Sequence, residues 1–291
     1  MRTRSITILT TILFCLGSPV LADDAADKLA AQKKAAQDNW GQLEAGEATV
    51  QETAHFLIYG PKAMDRQIKA LGVSLEKYND LARKALGYEE KSEPWPGKLT
   101  VYLFSERDTF AAFVRRVEKK RLETEDVSSL DVDGDQPHVA AGPSKKKTDA
   151  SVEERAAEQV AAALLQRKAG KGVEVPAWVL RGFGRATSYR IAPKDATVKK
   201  ERAWAAKWSP NRTAADVWGG KLDSDEAPIL EASLADFLAY GPPSAKFPKF
   251  VTGFKPDENL AAKTPAQALE TAGIAADTLD KRWREWAASQ R

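Results

Sequence analysis

Cysteine is nearly absent from this chain of 291 residues, with Cys15 the only one. A lone thiol excludes an intrachain disulfide and a thiolate cage for a metal. Histidine is almost as scarce, represented by His55 and His138 alone. These two do not stand at the helical spacing a metal-binding pair needs, and a Ser-His-Asp site has little material to draw on. An excess of one charge sign is also lacking: 44 basic and 41 acidic residues leave a formal net charge of +3. No global field is therefore available to attract nucleic acid or anionic lipid. Beyond residue 22 there is no long apolar run, so no later segment is expected to cross a membrane. Neither an internal repeat nor a phosphate-binding glycine loop is found.

What is present begins with a targeting pattern. Arg2 and Arg4 precede an apolar run from Ile6 to Leu16, and Val20-Leu21-Ala22 supplies a small-residue cleavage site followed by Asp23 and Asp24. The pattern predicts a signal peptide over residues 1–22, cut after Ala22, and hence a secreted or periplasmic protein. The apolar run is short of the roughly 20 residues a membrane span requires. Cys15 follows Phe14 inside that run, which argues against a lipid-modified cysteine. Cleavage would remove it, leaving a cysteine-free chain long enough to be held by its core alone.

Residues 23–47 are rich in Ala, Asp, Lys and Gln, with Leu29, Trp40 and Leu43 as the few large apolar groups. They read as a leader that is helical or partly disordered. Residues 49–59 have strand character. Residues 62–86 place Ile68, Leu71, Leu75, Tyr78, Leu81 and Leu86 at helical steps. LTVYLF at 99–104 reads as a buried strand, and 105–121 as a second helix with Phe110, Phe113, Val114 and Val117 on one face. Asp133-Gly134, between VSSLDV and HVAA, predicts a hairpin. Ser151 with Glu154 forms a capping box for a helix ending near Gly170. Pro176 opens another, and the last hundred residues read as helices with loops. Early strands and late helices predict an α+β fold.

Four of these features together resemble exported peptidase MA-like proteins of the gluzincin clan. They are the opening HFLIY strand leading to a helix with E-K-Y-x-x-L, and the LTVYLF strand before a helix with paired Phe. The other two are the capped helix with an A-L-L end followed by PAWVLRGFGRA, and a final W-x-x-W helix. The resemblance covers residues 48–288, with a strand-rich half (48–143) and a helical half (144–288). It implies a zincin-like fold: a small N-terminal mixed sheet with helices, then a helical C-terminal half.

In active members of that family the capped helix carries H-E-x-x-H. The two His share one helical face and bind zinc, and the Glu activates the bound water. A Glu on the next helix is the third ligand. Matching the A-L-L end puts Glu158 and Ala162 at the His positions, Gln159 at the Glu position and Arg181 at the third ligand. A shift of one residue puts Ala157 and Ala161 at the His positions and Glu158 at the Glu position. Neither register supplies a histidine, and Arg181 would repel a metal, since two like unit charges about 4 Å apart repel by about 4 kcal/mol at an effective dielectric of about 20. No metal, no cofactor and no zinc peptidase activity are expected. An ion pair between Glu158 and Arg181 is expected where the metal would sit. The family places an edge strand that pairs with extended substrate just before the ligand helix, which here implies His138, Val139, Ala140 and Ala141 as the cleft edge. Pro137 and Pro143 could instead blunt that edge.

Other signals are weaker. Asp131-Val132-Asp133-Gly134-Asp135 begins like a calcium loop but has Gln136 at position six and no Glu at position twelve. Lys145-Lys146-Lys147 and Lys199, Lys200 and Arg202 read as solvated basic runs. Trp204 and Trp208 share a helical face and read as packing groups rather than a sugar platform. Asn211-Arg212-Thr213 is a glycosylation sequon, meaningful only in a host with that pathway. The expected function is a non-catalytic, peptidase-like domain that binds a peptide or protein partner in the relict cleft. The alternatives are an enzyme built on Glu158, Arg181 and Arg185, whose charged groups would suit acidic or carbohydrate ligands, and a structural envelope component. The sequence leaves the oligomeric state open.

Overall fold

The computed structural model describes residues 20–144, 150–257 and 261–290. The signal pattern over residues 1–19 and the basic run at 145–147 lie outside the described residues. Within them the protein is a mixed α+β fold: a five-stranded sheet followed by a helical C-terminal half.

Helix α1 (Val20–Gly41) covers most of the segment read as helical or partly disordered. The expected single strand over 49–59 is a hairpin, β1 (Ala48–Glu52) and β2 (Phe56–Pro61). Its turn has no glycine or proline and is closed instead by Thr53, whose N–H donates to Phe56 O and whose hydroxyl accepts from Phe56 N–H. Helix α2 (Asp65–Ala85) leads to β3 (Leu99–Leu103). Helix α3 (Arg107–Arg116) ends earlier than the expected 121, and the chain leaves the helical conformation at Lys119, where φ is +55°. The hairpin β4 (Ser128–Asp131) and β5 (His138–Ala141) follows as expected.

The sheet order is β1-β2-β3-β5-β4, with β2, β3 and β5 parallel and β1 and β4 antiparallel at the two edges. Every residue of β3 is buried, because both sheet faces are covered. Phe56, Ile58, Leu99, Val101, Leu103 and Val139 pack on one face against Ile68, Leu71 and Leu75 of α2. The alternate residues Leu57, Tyr59, Tyr102 and Ala140 pack on the other face against Phe110 and Phe113 of α3 and against Ala36 and Trp40 of α1. The two sets follow the period of two that a pleated strand imposes.

Helix α4 (Val152–Ala169) opens on the predicted capping box of Ser151 and Glu154 and runs to Gly170. Among the described residues seven further α-helices follow: α5 (Ala177–Ile191), α6 (Ala196–Trp208), α7 (Ala214–Trp218), α8 (Ala227–Tyr240), α9 (Phe247–Thr252), α10 (Pro265–Thr271) and α11 (Ala276–Ser289). Helix α8 is buried along Ile229–Ala239 and forms the centre of this half. Helix α5 lies between α4 and α8, and two glycines permit the close approach. A Cβ at Gly184 would meet Glu158 O at 2.6 Å, and one at Gly182 would meet Glu231 O at 2.5 Å. None of the described helices is long and apolar enough to cross a membrane.

Candidate functional site

The strand β5 is not an edge. It pairs with β3 on one side and β4 on the other, and His138, Val139, Ala140 and Ala141 are all buried. The expectation that these four residues form the cleft edge is therefore corrected. The hairpin folds its first strand, not its second, to the outside, and the edge beside α4 is β4. In an antiparallel ladder the hydrogen-bonded pairs alternate. Gly142 N–H donates to Val127 O, so Val127, Ser129 and Asp131 turn their backbone groups toward β5. Ser128 and Leu130 turn theirs outward. Lys120 Nζ donates to Leu130 O at 3.3 Å, a lysine blunting that end of the edge. The Ser128 N–H and C=O remain on the open side.

Next to Ser128 is a cavity of about 160 Å³ between β4 and helices α4, α5 and α8. Glu158, Gln159, Arg181, Arg185 and Glu231 are among the residues that line it. Three of the four positions that the resemblance matches to the metal site, Glu158, Gln159 and Arg181, thus meet in one cavity. The fourth, Ala162, is buried, as are Ala157 and Ala161 of the other register. Gln159 Nε2 donates to Ser128 Oγ at 2.9 Å, tying α4 to the edge strand.

The expected Glu158–Arg181 pair is not formed. Arg181 instead makes a two-pronged contact with Glu231 of α8, Nε to Oε2 at 3.1 Å and Nη2 to Oε1 at 2.7 Å. One turn on, Arg185 does the same with Glu201 of α6, with Nε to Oε2 at 2.9 Å. Arg190 repeats the arrangement with Asp236, at 2.7 and 2.5 Å. The fork of a guanidinium matches a carboxylate in this way, and pairing is what permits such charges to be buried. Glu231 and Asp236 could have been found in the sequence as two acids in an otherwise apolar helix, since a buried carboxylate demands a cation. Their partners could not, because α5 offers Arg181, Arg185 and Arg190 alike.

Glu158 is left with a hydroxyl. Tyr78 Oη donates to Ser188 Oγ at 2.9 Å, and Ser188 Oγ donates to Glu158 Oε1 at 3.2 Å. Burial pushes the Glu158 carboxyl up to about 7, against the pull of Arg185 and Ser188 and with a push from Glu201 and Glu154. Burial works against the Arg185 charge, but Glu201 and Glu158 hold its pKa above the ordinary guanidinium value. The two histidines have different partners: His55 Nδ1 lies 2.5 Å from Glu76 and His138 Nε2 3.2 Å from Glu118. Among the described residues no three His, Cys, Asp or Glu side chains come together as a metal donor set. Asp133 Oδ2 accepts from Gly172 N–H at 2.8 Å, so the calcium-like turn serves to tie the hairpin to the end of α4.

No protein-family model matches the chain, and no curated protein matches it.

Proposed function

We propose that this chain is an exported, non-catalytic, zincin-like domain that binds an extended peptide segment of a partner along β4 and the adjoining cavity. The observation that carries the reading is the coincidence of two features at one place. The open backbone groups of Ser128 border the cavity lined by Glu158, Gln159 and Arg181, the positions that a gluzincin would devote to zinc and water. An extended peptide can add to a sheet edge through main-chain hydrogen bonds while a side chain enters a pocket beside it. The mixed sheet followed by a helical half supports the family likeness, although the strand just before α4 is buried rather than the edge that the likeness implies. The likeness extends to the scaffold but not to the chemistry: a guanidinium and a methyl group stand at two zinc-donor positions, and a carboxamide stands where a carboxylate would activate the bound water. The signal pattern supports a location outside the cytoplasm.

The test is selection of random peptides displayed on phage against the purified chain, followed by titration of the enriched peptides. Ser128→Pro removes an outward N–H without touching the β4–β5 ladder, and Ser128→Ala, which lacks only the hydroxyl that holds Gln159, is the reference against which it is read. Enriched peptides should bind the wild type and lose about tenfold in affinity on the variant, the worth of one hydrogen bond with its partner left unpaired. Peptides indifferent to the variant would overturn the use of β4. Casein cleavage that a chelator abolishes would overturn the non-catalytic assignment.

A further inference from the structure

The cavity beside β4 has more hydrogen-bond donors than acceptors. Arg181 and Arg185 each spend Nε and Nη2 on a carboxylate, and Nη1 of neither makes a hydrogen bond among the described residues. Both line the cavity, and the Arg181 side chain is 61% exposed although its partner Glu231 is 6% exposed. Gln159 uses one of its two amide N–H groups on Ser128. The acceptors are mostly taken: Glu231 and Glu201 by their arginines, and Glu158 Oε1 by Ser188.

We infer that the cavity seats a carboxylate of the bound peptide, held by the Nη1 groups of Arg181 and Arg185 with the Glu158 carboxyl as a third donor. This rests on the peptide-binding reading above and names the ligand chemistry for it. A carboxylate offers acceptors only, which complements a donor-rich pocket, and a planar guanidinium suits its geometry. A cavity of about 160 Å³ holds a group of that size. The carboxylate is an Asp or Glu side chain or the peptide's C-terminus.

The third donor depends on pH. Glu158 faces Arg185 on α5, Glu201 on α6, Glu231 on α8, Tyr78 on α2, and Glu154 and Arg155 on its own helix, with Arg181 across the cavity. Arg155 is engaged elsewhere, with Gly142 O one of its acceptors at 3.2 Å. With each remaining arginine already offset by a carboxylate, an entering anion meets either a protonated Glu158 that donates to it or an ionised one that repels it. The carboxyl titrates near 7, so carboxylate affinity falls as pH rises through that value.

The experiment titrates the signal-free chain with propionate, propionamide and inorganic phosphate at pH 6 and pH 8. It then titrates the phage-selected peptides with each acidic side chain amidated in turn and with the C-terminus free or amidated. Propionate should bind where propionamide does not, and about tenfold more weakly at pH 8 than at pH 6, as expected for one proton with a pKa near 7. Glu158→Gln should retain binding and lose the pH dependence. Arg181→Met alone leaves a buried Glu231, so Arg181→Met with Glu231→Met, checked for folding by its thermal melt, is the second variant and should lose at least tenfold. The amidated arms assign the carboxylate to a side chain or to the C-terminus. Propionamide equal to propionate, phosphate tighter than propionate, or an unchanged pH profile in Glu158→Gln would overturn the inference. Selected peptides that bind through β4 whether or not they carry a carboxylate would overturn it and leave the peptide-binding reading standing.

Discussion

At the scale of single residues, Glu158 couples the fold to pH. Its carboxyl has an ordinary pKa of 4.5 and one of about 7 in the folded protein. Below pH 4.5 both states carry the proton. Between 4.5 and 7 the folded state keeps a proton that the unfolded chain has released, so folding stability falls across that window and is flat above it. Glu158→Gln accepts the same Ser188 hydrogen bond without ionising. The variant should match the wild type near pH 4 and exceed it at pH 8, by up to about 3 kcal/mol. Urea denaturation of both proteins at each pH measures the difference, with all other titrating groups cancelling. A difference that does not vary with pH would mean that Glu158 ionises alike in both states. The sequence brought Glu158, Gln159 and Arg181 into one cleft through their alignment with a ligand set. It could not show that Arg181 turns to Glu231, because that partner is 50 residues away and its approach depends on Gly182.

At the scale of elements, α5 is fastened to α8 at both ends by arginine–carboxylate pairs. Asp236 is 4% exposed and also accepts from Trp286 Nε1 at 3.1 Å, which brings α11 into the same junction. Burial raises its pKa despite Arg190, so the charge is maintained by its partners. Arg190→Met would strand that carboxylate and should cost about 3–5 kcal/mol, whereas Arg190→Met with Asp236→Leu should recover most of the loss. A double-mutant cycle on unfolding free energies reads the pair directly, and additive losses would show the two side chains to be energetically independent. The helices themselves were legible: the capping box at Ser151, the stop at Gly170 and the start at Pro176 are local signals. The strand order was not. The alternation in VSSLDV and HVAA gives two strands and a hairpin, but which of them lies outside is decided by where α3 and β3 stand. A turn closed by the Thr53 hydroxyl, with no glycine or proline, gave no break in the run from 49 to 59.

At the scale of the whole molecule, the sheet is stable only if both faces are covered, and the second face depends on a segment whose composition suggests little order. The large apolar groups of α1 and its exit are few, but they are concentrated where they matter. Trp40 stacks on Phe104 with ring centroids 5.7 Å apart and donates Nε1 to Gly46 O at 2.9 Å. Tyr59 Oη donates to Lys33 O at 3.2 Å, and Gln32 Oε1 accepts from Lys98 N–H at 3.0 Å. Cleavage after Ala22 would leave all of these in place, so a chain cut there would keep its cover. Trp40→Ala should therefore cost about 3–5 kcal/mol, the usual loss for an aromatic removed from a core. Starting the chain at Glu47 should do more than lower the melting temperature. It uncovers Leu57, Tyr59, Tyr102 and Phe104 on a sheet face of aromatic and branched residues, which favours association between copies. Dye binding and sedimentation of the shortened chain, compared with the chain beginning at Asp23, measure that exposure. A shortened chain that melts with the same midpoint, remains monomeric and binds no dye would make α1 an appendage. The β4 cleft lies beyond the opposite sheet edge from β1 and is built from α4, α5 and α8, so Trp40→Ala should leave unchanged the affinity of the folded fraction for any peptide selected against the wild type.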